Sequence, residues 1–419
     1  MTSQLVLGNA SGIVLVSDSA VTIRGGRTFD SCEKVYGLPA PHRLAVMLSG
    51  NALYYKMPIE VLVKEWISSL PDKAEESVGD YRSGFVSWIE NKADRWQSTH
   101  NRAVAAWKAL LGEVEGLTNW LKSNLDGAEE GESPADLVLR LLRLNNEYLN
   151  ERPTFVSSAV AESIIDDWWK PDDTLEKPRP GLKGEVDHYF VDIPRSETIE
   201  QEIRTYLRLV VEKADDFPNG KSSVLHFVGY GATDLLPTVA KLELAGAMAT
   251  TVWHYSDEPY RPHPAGPSHA LIVSAAQDDV IELVLKGWNP DLAQKATSRG
   301  LDSLLEMHDP NISDQEADES ESPRLDNHGP NNPQFKSELI EAVMGGYDHL
   351  VHDEYLGKTF ATVAVMPVLD LAKAAKALVA VQALTLAIRG ELPSVGGHID
   401  VASITVNEGF RWISHGEDG

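Results

Sequence analysis

The 419-residue sequence predicts an α+β protein, a four-layer αββα sandwich carrying mainly helical insertions. Three observations predict it. Short apolar runs and strand-like turns fill residues 1–52, helical spacing dominates from Met57 to about residue 215, and strand runs return between Val224 and Val273. Further helical stretches and a closing strand pair complete the order strands, helices, strands, helices, strands, which suits two sheets between helical layers.

The chain opens Met1-Thr2-Ser3-Gln4-Leu5-Val6-Leu7-Gly8, and a second strand, Gly12-Ile13-Val14-Leu15-Val16, runs into Ser17-Asp18-Ser19. Gly25-Gly26 and Pro39-Ala40-Pro41 punctuate the way to Leu44-Ala45-Val46-Met47-Leu48. From Met57 the period changes: Ile59, Leu62, Val63, Trp66 and Leu70 follow helical spacing that Pro71 ends. Tyr81 to Leu121 reads as helical, with Trp88, Trp96, Trp107 and Trp120 as core aromatics. In Leu137 to Leu149 the residues Leu137, Leu141, Leu144 and Tyr148 define one face.

Strand character returns at Val224 to Gly231, Thr238 to Leu244 and Ala270 to Val273. A helix is expected from Asp278 to Lys286, then an acidic Ser/Asp/Glu/Pro loop from Ser313 to Asp326. Helical periodicity resumes over Ser337–Leu350 and Val368–Arg389, and Asp400–Val406 with Phe410–Ile413 reads as a terminal hairpin.

Thirty-seven basic against 63 acidic residues give a net charge of −26, which argues against nucleic acid or an anionic membrane as partner. The single cysteine, Cys32, excludes an internal disulfide framework and a cysteine-based zinc site, and a small buried apolar role is expected for it. Met1-Thr2 leads straight into a strand pattern rather than a signal peptide. The apolar stretch Val368–Ile388 carries Asp370, Lys373, Lys376 and Gln382, so no membrane span is expected, and the expected location is cytoplasmic.

The chemistry concentrates in the first fifty residues. If Met1 is removed, Thr2 carries a hydroxyl and a free α-amine, and the amine can serve as base to its own hydroxyl. Its reference pKa of roughly 7.7–8.0 lies near the working pH, whereas a lysine at roughly 10.4 stays charged unless desolvated. An ammonium at Lys34 would bias the α-amine toward its basic form, and Asp18 would hold Lys34 and balance its charge. Gly50, in Ser49-Gly50-Asn51-Ala52, has no Cβ to keep its N–H from a developing oxyanion. Taken singly, Asp18 could be a turn residue, Lys34 a strand-edge lysine and Ser49-Gly50 a strand-to-helix junction.

Asp18 follows Thr2 by sixteen residues and Lys34 follows it by thirty-two. With these intervals, the region resembles the proteasome-like N-terminal-nucleophile (Ntn) hydrolases, among them proteasome β-subunits and the bacterial HslV peptidase. Asp18-Ser19-Ala20-Val21-Thr22 is similar to the family's Asp-Ser-Arg-x-Thr, with Ala20 in place of arginine, and Ser49-Gly50-Asn51-Ala52 resembles its oxyanion loop. The resemblance implies Thr2, Asp18, Lys34 and Gly50 as catalytic residues, with Thr22 and Ala52 at the substrate.

It also implies roles near the C-terminus. Glu391-Leu392-Pro393-Ser394 keeps the spacing of the family's Asp-x-x-Ser-Gly-Gly, with glutamate for aspartate and Val395 interposed before the glycines. Glu391 and Ser394 would brace the Thr2 amine; otherwise Gly390 is a helix C-cap and the rest a connecting loop. Where the family has a Gly-Ser-Gly turn this chain has Ala275-Ala276-Gln277-Asp278, so Ser274, Gln277 or another group would have to serve. The implied organisation is an Ntn core in three parts, 1–71, 216–290 and 361–419, with a helical insertion at 72–215 and a second insertion at 291–360. The implied substrate is a peptide or protein, with no cofactor and no metal, and a homo-oligomeric ring is the family's assembly.

Other constellations are weaker. His349 and His352 stand three apart beside Asp348, Asp353 and Glu354, but without a third ligand they read as a solvated helix face. Gly229-x-Gly231 lacks the third glycine of a dinucleotide loop, and the sequence has no Gly-x-Ser-x-Gly elbow or Walker loop. Two rivals stay open: a catalytically inactive proteasome-like assembly subunit, and an Ntn ligase or transpeptidase in which an amine captures the acyl-enzyme.

Overall fold

The computed structural model describes residues 2–23, 27–29, 32–125, 127–128, 131–171, 181–218, 220–248, 251–262, 269–276, 279–286, 294–295, 297–298, 340, 343–345, 356–389 and 395–416. They form two compact units: Met1–Cys32, Pro262–Ser403 and Trp412–Gly419 make the first, and Glu33–Arg261 with Ile404–Arg411 the second.

Strands β1 (Ser3–Asn9) and β2 (Gly12–Asp18) are joined by a two-residue turn whose Ser11 N–H donates to Asn9 Oδ1 at 2.8 Å. Every residue of both is buried, which matches their near-continuous apolar runs. The short pair β3 (Val21–Ile23) and β4 (Arg27–Phe29) follows, then β5 (Val35–Gly37), β6 (Arg43–Gly50) and a small hairpin of β7 (Leu53–Tyr54) and β8 (Met57–Pro58). Helix α1 (Ile59–Ser68) buries Ile59, Leu62, Val63 and Trp66, the residues whose spacing predicted it.

Between Val78 and Lys213 the named elements are all helices: α2 (Val78–Trp96), α3 (Thr99–Ser123), α4 (Pro134–Asn150), α5 (Ser158–Trp169), α6 (Leu182–Tyr189) and α7 (Glu197–Lys213). Serine starts five of them: Ser77, Ser98, Ser133, Ser157 and Ser196 each accept a backbone N–H of the first turn. Ser98 divides the helical stretch read over Tyr81–Leu121. The run Tyr81–Leu121 is two helices, because Gln97 turns extended and the Ser98 hydroxyl caps a new start.

Helix α4 brings a correction. Its buried face is Leu137, Val138, Leu142, Asn146 and Leu149, whereas Leu144 and Tyr148 are exposed. The packing against α7 selects this neighbouring stripe, and Asn146 joins it because its amide donates to Glu202. Of the four tryptophans, Trp88, Trp96 and Trp107 are partly buried against the cores, while Trp120 is exposed.

Strands β9 (Ser223–Tyr230), β10 (Thr238–Met248) and β11 (Thr251–Tyr255) follow, and then β12 (Leu271–Ala276) and α8 (Asp279–Lys286). β11 was not legible as a strand, although it buries Val252 and Trp253 beside β10. Helices α9 (Gly357–Val365) and α10 (Val368–Ile388) lead to the closing hairpin, β13 (Ile399–Thr405) and β14 (Gly409–Ser414). The expected acidic loop at 313–326 and the histidine pair at 348–354 lie outside the described residues, as does most of the helix expected over 337–350.

Apart from Ile404–Arg411, the first unit holds a five-stranded sheet ordered β12-β1-β2-β13-β14. Leu5 and Leu7 of β1, Val14 and Val16 of β2 and Val401 of β13 form its core with Leu371, Ala372, Ala375 and Val379 of α10. Among the described residues α10 is the one helix long and apolar enough to cross a membrane, and this face of it is buried in that core. Two buried amides tie the helices down: Asn9 donates to the carbonyls of Val363 (2.7 Å) and Met366 (2.8 Å) at the end of α9, and Gln382 Oε1 accepts Val280 and Ile281 N–H at the start of α8.

The second unit holds a five-stranded sheet ordered β11-β10-β9-β6-β5. Leu44, Val46, Leu48, Leu225, Phe227, Ala240 and Leu242 face Ile59, Leu62, Trp66, Tyr81, Phe85 and Ile89 of α1 and α2. Helices α3 to α7 build a further core, into which the buried Trp253 projects and donates to the Val211 carbonyl at 2.8 Å. The protein is thus mixed α/β with antiparallel sheets, in keeping with the α+β class.

Candidate functional site

Thr2 immediately precedes β1 and is 8 % exposed. Asp18 ends β2, antiparallel to β1, and the register Gln4↔Ser17 carries the aspartate to the start of β1. Its carboxylate is 1 % exposed and accepts two backbone hydrogen bonds, from Ser3 N–H to Oδ1 (3.0 Å) and from Gly396 N–H to Oδ2 (3.0 Å). A buried carboxylate needs such donors, and charge-assisted bonds of this kind are about twice as strong as neutral ones. The strands therefore bring Asp18 to the residue next to Thr2.

The segment after Asp18 is held by the same stretch of chain. Ser19 N–H donates to the His398 carbonyl and Ala20 N–H to the Gly396 carbonyl, both at 3.1 Å. Gly396 thus accepts from one residue of the Asp18 segment and donates to another. Its part was not foreseen, since Gly396 entered the sequence reading only as one of the glycines after Val395. Thr22 lies on β3 opposite Thr28 of β4.

Ser274 is corrected as a partner of the Thr2 amine. It pairs with Leu5, three residues along β1 from Thr2, a span of about 10 Å at the usual strand rise. Leu5 faces the α10 core, and directly opposed residues share a face. Gln277, Glu391 and Ser394 lie outside the described residues.

Lys34, Gly50 and Ala52 belong to the second unit. Lys34 is 5 % exposed and precedes β5; its carbonyl accepts Leu48 N–H at 2.8 Å. Gly50 ends β6 at φ +73°, and a Cβ there would stand 2.7 Å from the Ser222 carbonyl oxygen. Both facts require glycine. Asn51 N–H donates to Ser222 O at 3.0 Å, toward β9. N–H groups alternate sides along an antiparallel strand, so the Gly50 N–H lies on the opposite edge of β6. Leu48 N–H meets Lys34 on that same edge. The Gly50 amide and Lys34 thus share one edge, two residues or roughly 7 Å apart along the strand. Ala52 is exposed, and its carbonyl accepts Ile59 N–H at 3.0 Å as α1 begins.

His226, buried on β9, is a residue the sequence did not single out. It pairs with Met47 while Val224 pairs with Ser49, so His226 and Ser49 share a face of the second sheet. Burial, and after it the Lys241 ammonium, pushes this imidazole down to about 4, so it is neutral near pH 7. Cys32, expected to be buried, is half-buried and free of a disulfide; Cys32 N–H donates to the Ser19 carbonyl at 3.0 Å. Among the described residues no group of three or more His, Cys, Asp or Glu side chains is disposed to hold a metal ion.

Within its own unit each half has a chemical capacity. The first offers a threonine beside a buried carboxylate, and the second a buried lysine along the edge that carries the Gly50 N–H. No protein-family model, no curated protein and no solved structure matches this chain.

Proposed function

We propose that the protein is a threonine-dependent Ntn amidohydrolase of the proteasome-like kind, acting on peptides in the form whose chain starts at Thr2. The observation that carries the reading is the bond from Ser3 N–H to the buried Asp18 carboxylate, which ties the assigned acid to the residue beside the assigned nucleophile. The four-layer αββα arrangement belongs to the same proposal. In its support, β1 and β2 are buried along their whole length and β6 and β9 nearly so, while the helices named in their cores cover one face of each sheet.

In the proposed reaction the Thr2 Oγ attacks the amide carbonyl and its proton passes to the α-amine. The new C–O bond forms as the carbonyl pair moves to oxygen, where the Gly50 N–H donates. Collapse breaks the C–N bond, the α-ammonium gives its proton to the leaving amine, and an ester on Thr2 remains. Water, giving a proton to the α-amine, then attacks the ester carbonyl; the C–Oγ bond breaks, the α-ammonium returns its proton to Thr2 Oγ, and the acid leaves. Lys34 keeps the amine basic and Asp18 holds the lysine's charge.

The experiment is the N-terminal residue and Thr2 itself. Intact-mass analysis of protein purified from cells is expected to show Thr2 first, and Thr2→Ala to lose peptide turnover and electrophile labelling while its circular dichroism is kept. An N-terminal residue other than Thr2, or turnover in Thr2→Ala, overturns the proposal.

A further inference from the structure

The loop that carries Gly50 is held by an asparagine whose four polar groups are all engaged. Asn51 N–H donates to the Ser222 carbonyl (3.0 Å) and its Nδ2 to the Lys221 carbonyl (3.0 Å). Its own carbonyl accepts from Ser223 Oγ (2.6 Å), and its Oδ1 accepts Leu53 N–H (3.1 Å). Asn51 is only half-buried and lies outside the hydrophobic cores, so apolar packing does not account for this set.

The far side of the loop is clamped as well. Tyr55 (φ +47°) and Lys56 (φ +68°) both adopt the left-handed conformation without being glycine, a strained turn that persists only where its surroundings hold it. The Tyr55 hydroxyl does so, donating to the Ala247 carbonyl at 2.7 Å and accepting Ala247 N–H at 3.2 Å.

Gly50 explains what the clamp is for. A glycine at positive φ is the softest joint in the loop, so its peptide planes can turn unless both neighbours are fixed. The β6–β9 ladder runs through Ser49↔Val224 to Gly50↔Ser223, and past Gly50 the chain is held by the bonds of Asn51 to Lys221, Ser222 and Ser223. A side chain that donates and accepts at once, on a single short stem, is what this place needs. Aspartate lacks the donor and serine lacks the second group.

We propose that Asn51 is a positioning residue that holds the Gly50 N–H in register for the oxyanion; this rests on the function proposed above. The test compares two probes of Thr2 in the full-length protein. A β-lactone acylates Thr2: the Oγ–C bond forms, the ring C–O bond breaks, and the released alkoxide takes the hydroxyl proton by way of the α-amine. A peptide vinyl sulfone alkylates Thr2: Oγ bonds the alkene carbon farther from sulfur, and the π pair takes the proton at the carbon next to sulfur. Only the lactone passes through a carbonyl oxyanion.

Asn51→Ala is expected to slow acylation about tenfold or more while alkylation stays within about twofold, with circular dichroism unchanged. Ser223→Ala, which removes the donor to the Asn51 carbonyl, is expected to lower the same ratio less, and it reads the clamp if Asn51→Ala fails to fold. An unchanged ratio in the folded variants, whether both rates hold or both fall, overturns the role of Asn51 and leaves the function standing. Wild-type protein starting at Thr2 that forms no ester with the lactone overturns both.

Discussion

Leu48 N–H donates to the Lys34 carbonyl at 2.8 Å, and this bond sets the lysine backbone on the edge of β6 that also carries the Gly50 N–H. The relationship lies in the backbone, so it survives substitution of the lysine side chain. Lys34 can therefore be varied without moving the strand that presents Gly50.

Lys34→Arg is accordingly expected to keep the fold and lose activity. A guanidinium is larger and planar and cannot stand in for a compact ammonium in a site where the lysine is 5 % exposed. With a peptide that Thr2 turns over, kcat is expected to fall by orders of magnitude while KM changes little, the pattern of a group acting in the transition state. Near-wild-type kcat would assign Lys34 to structure alone.

Gly50→Ala tests the loop geometry through stability. The alanine must adopt φ +73° and bring its Cβ to 2.7 Å from the Ser222 carbonyl oxygen, which is backbone and cannot swing away. Left-handed strain and the displaced contact together are expected to cost roughly 1–3 kcal/mol, read from the urea midpoint. A midpoint equal to wild type would contradict the loop conformation.

His226 makes stability depend on pH. Its folded value is about 4 against 6.5 for an ordinary imidazole, with burial the first cause and the Lys241 charge the second. Between those values the unfolded chain binds a proton that the folded chain does not. The sign follows: this group's contribution is level above about pH 6.5 and stability falls as pH drops toward about 4. The loss approaches about 3 kcal/mol across the window, at about 1.4 kcal/mol for each pH unit. Urea melts of wild type and His226→Leu at intervals from pH 4 to pH 7 are expected to differ in slope there. Parallel curves would refute the buried neutral imidazole.

Gln382→Leu tests the tie between α10 and α8. The buried amide oxygen accepts Val280 N–H at 2.9 Å and Ile281 N–H at 3.2 Å, and leucine offers them nothing. Two unsatisfied donors at a helix start are expected to cost about 1–3 kcal/mol in a thermal or urea melt. A neutral result would mean that water replaces the amide there.

Much of the candidate site was legible because its parts sit at strand ends, where turn chemistry is written locally. Ser17-Asp18 and Ser49-Gly50 each follow an unbroken apolar run, and the structure ends β2 at Asp18 and β6 at Gly50. The clamp on Gly50 was not legible: Asn51 bonds Lys221, Ser222 and Ser223, residues some 170 positions away in the chain. Nor was the second donor to Asp18, since Gly396 reaches it across 378 residues. β11 escaped notice for a related reason, being five residues long and shaped by its pairing with β10.

The sequence by itself determined the alternation of strand-rich and helix-rich stretches, because apolar period, turn residues and proline stops act within a few residues of one another. It also marked Gly50 as the glycine that follows the apolar run Leu44–Leu48. Only the tertiary structure decided which stripe of α4 is buried, that Ser274 faces the α10 core, and that His226 shares a face with Ser49. These depend on register and packing between distant segments, and a shift of one residue in a strand would send each side chain to the other face.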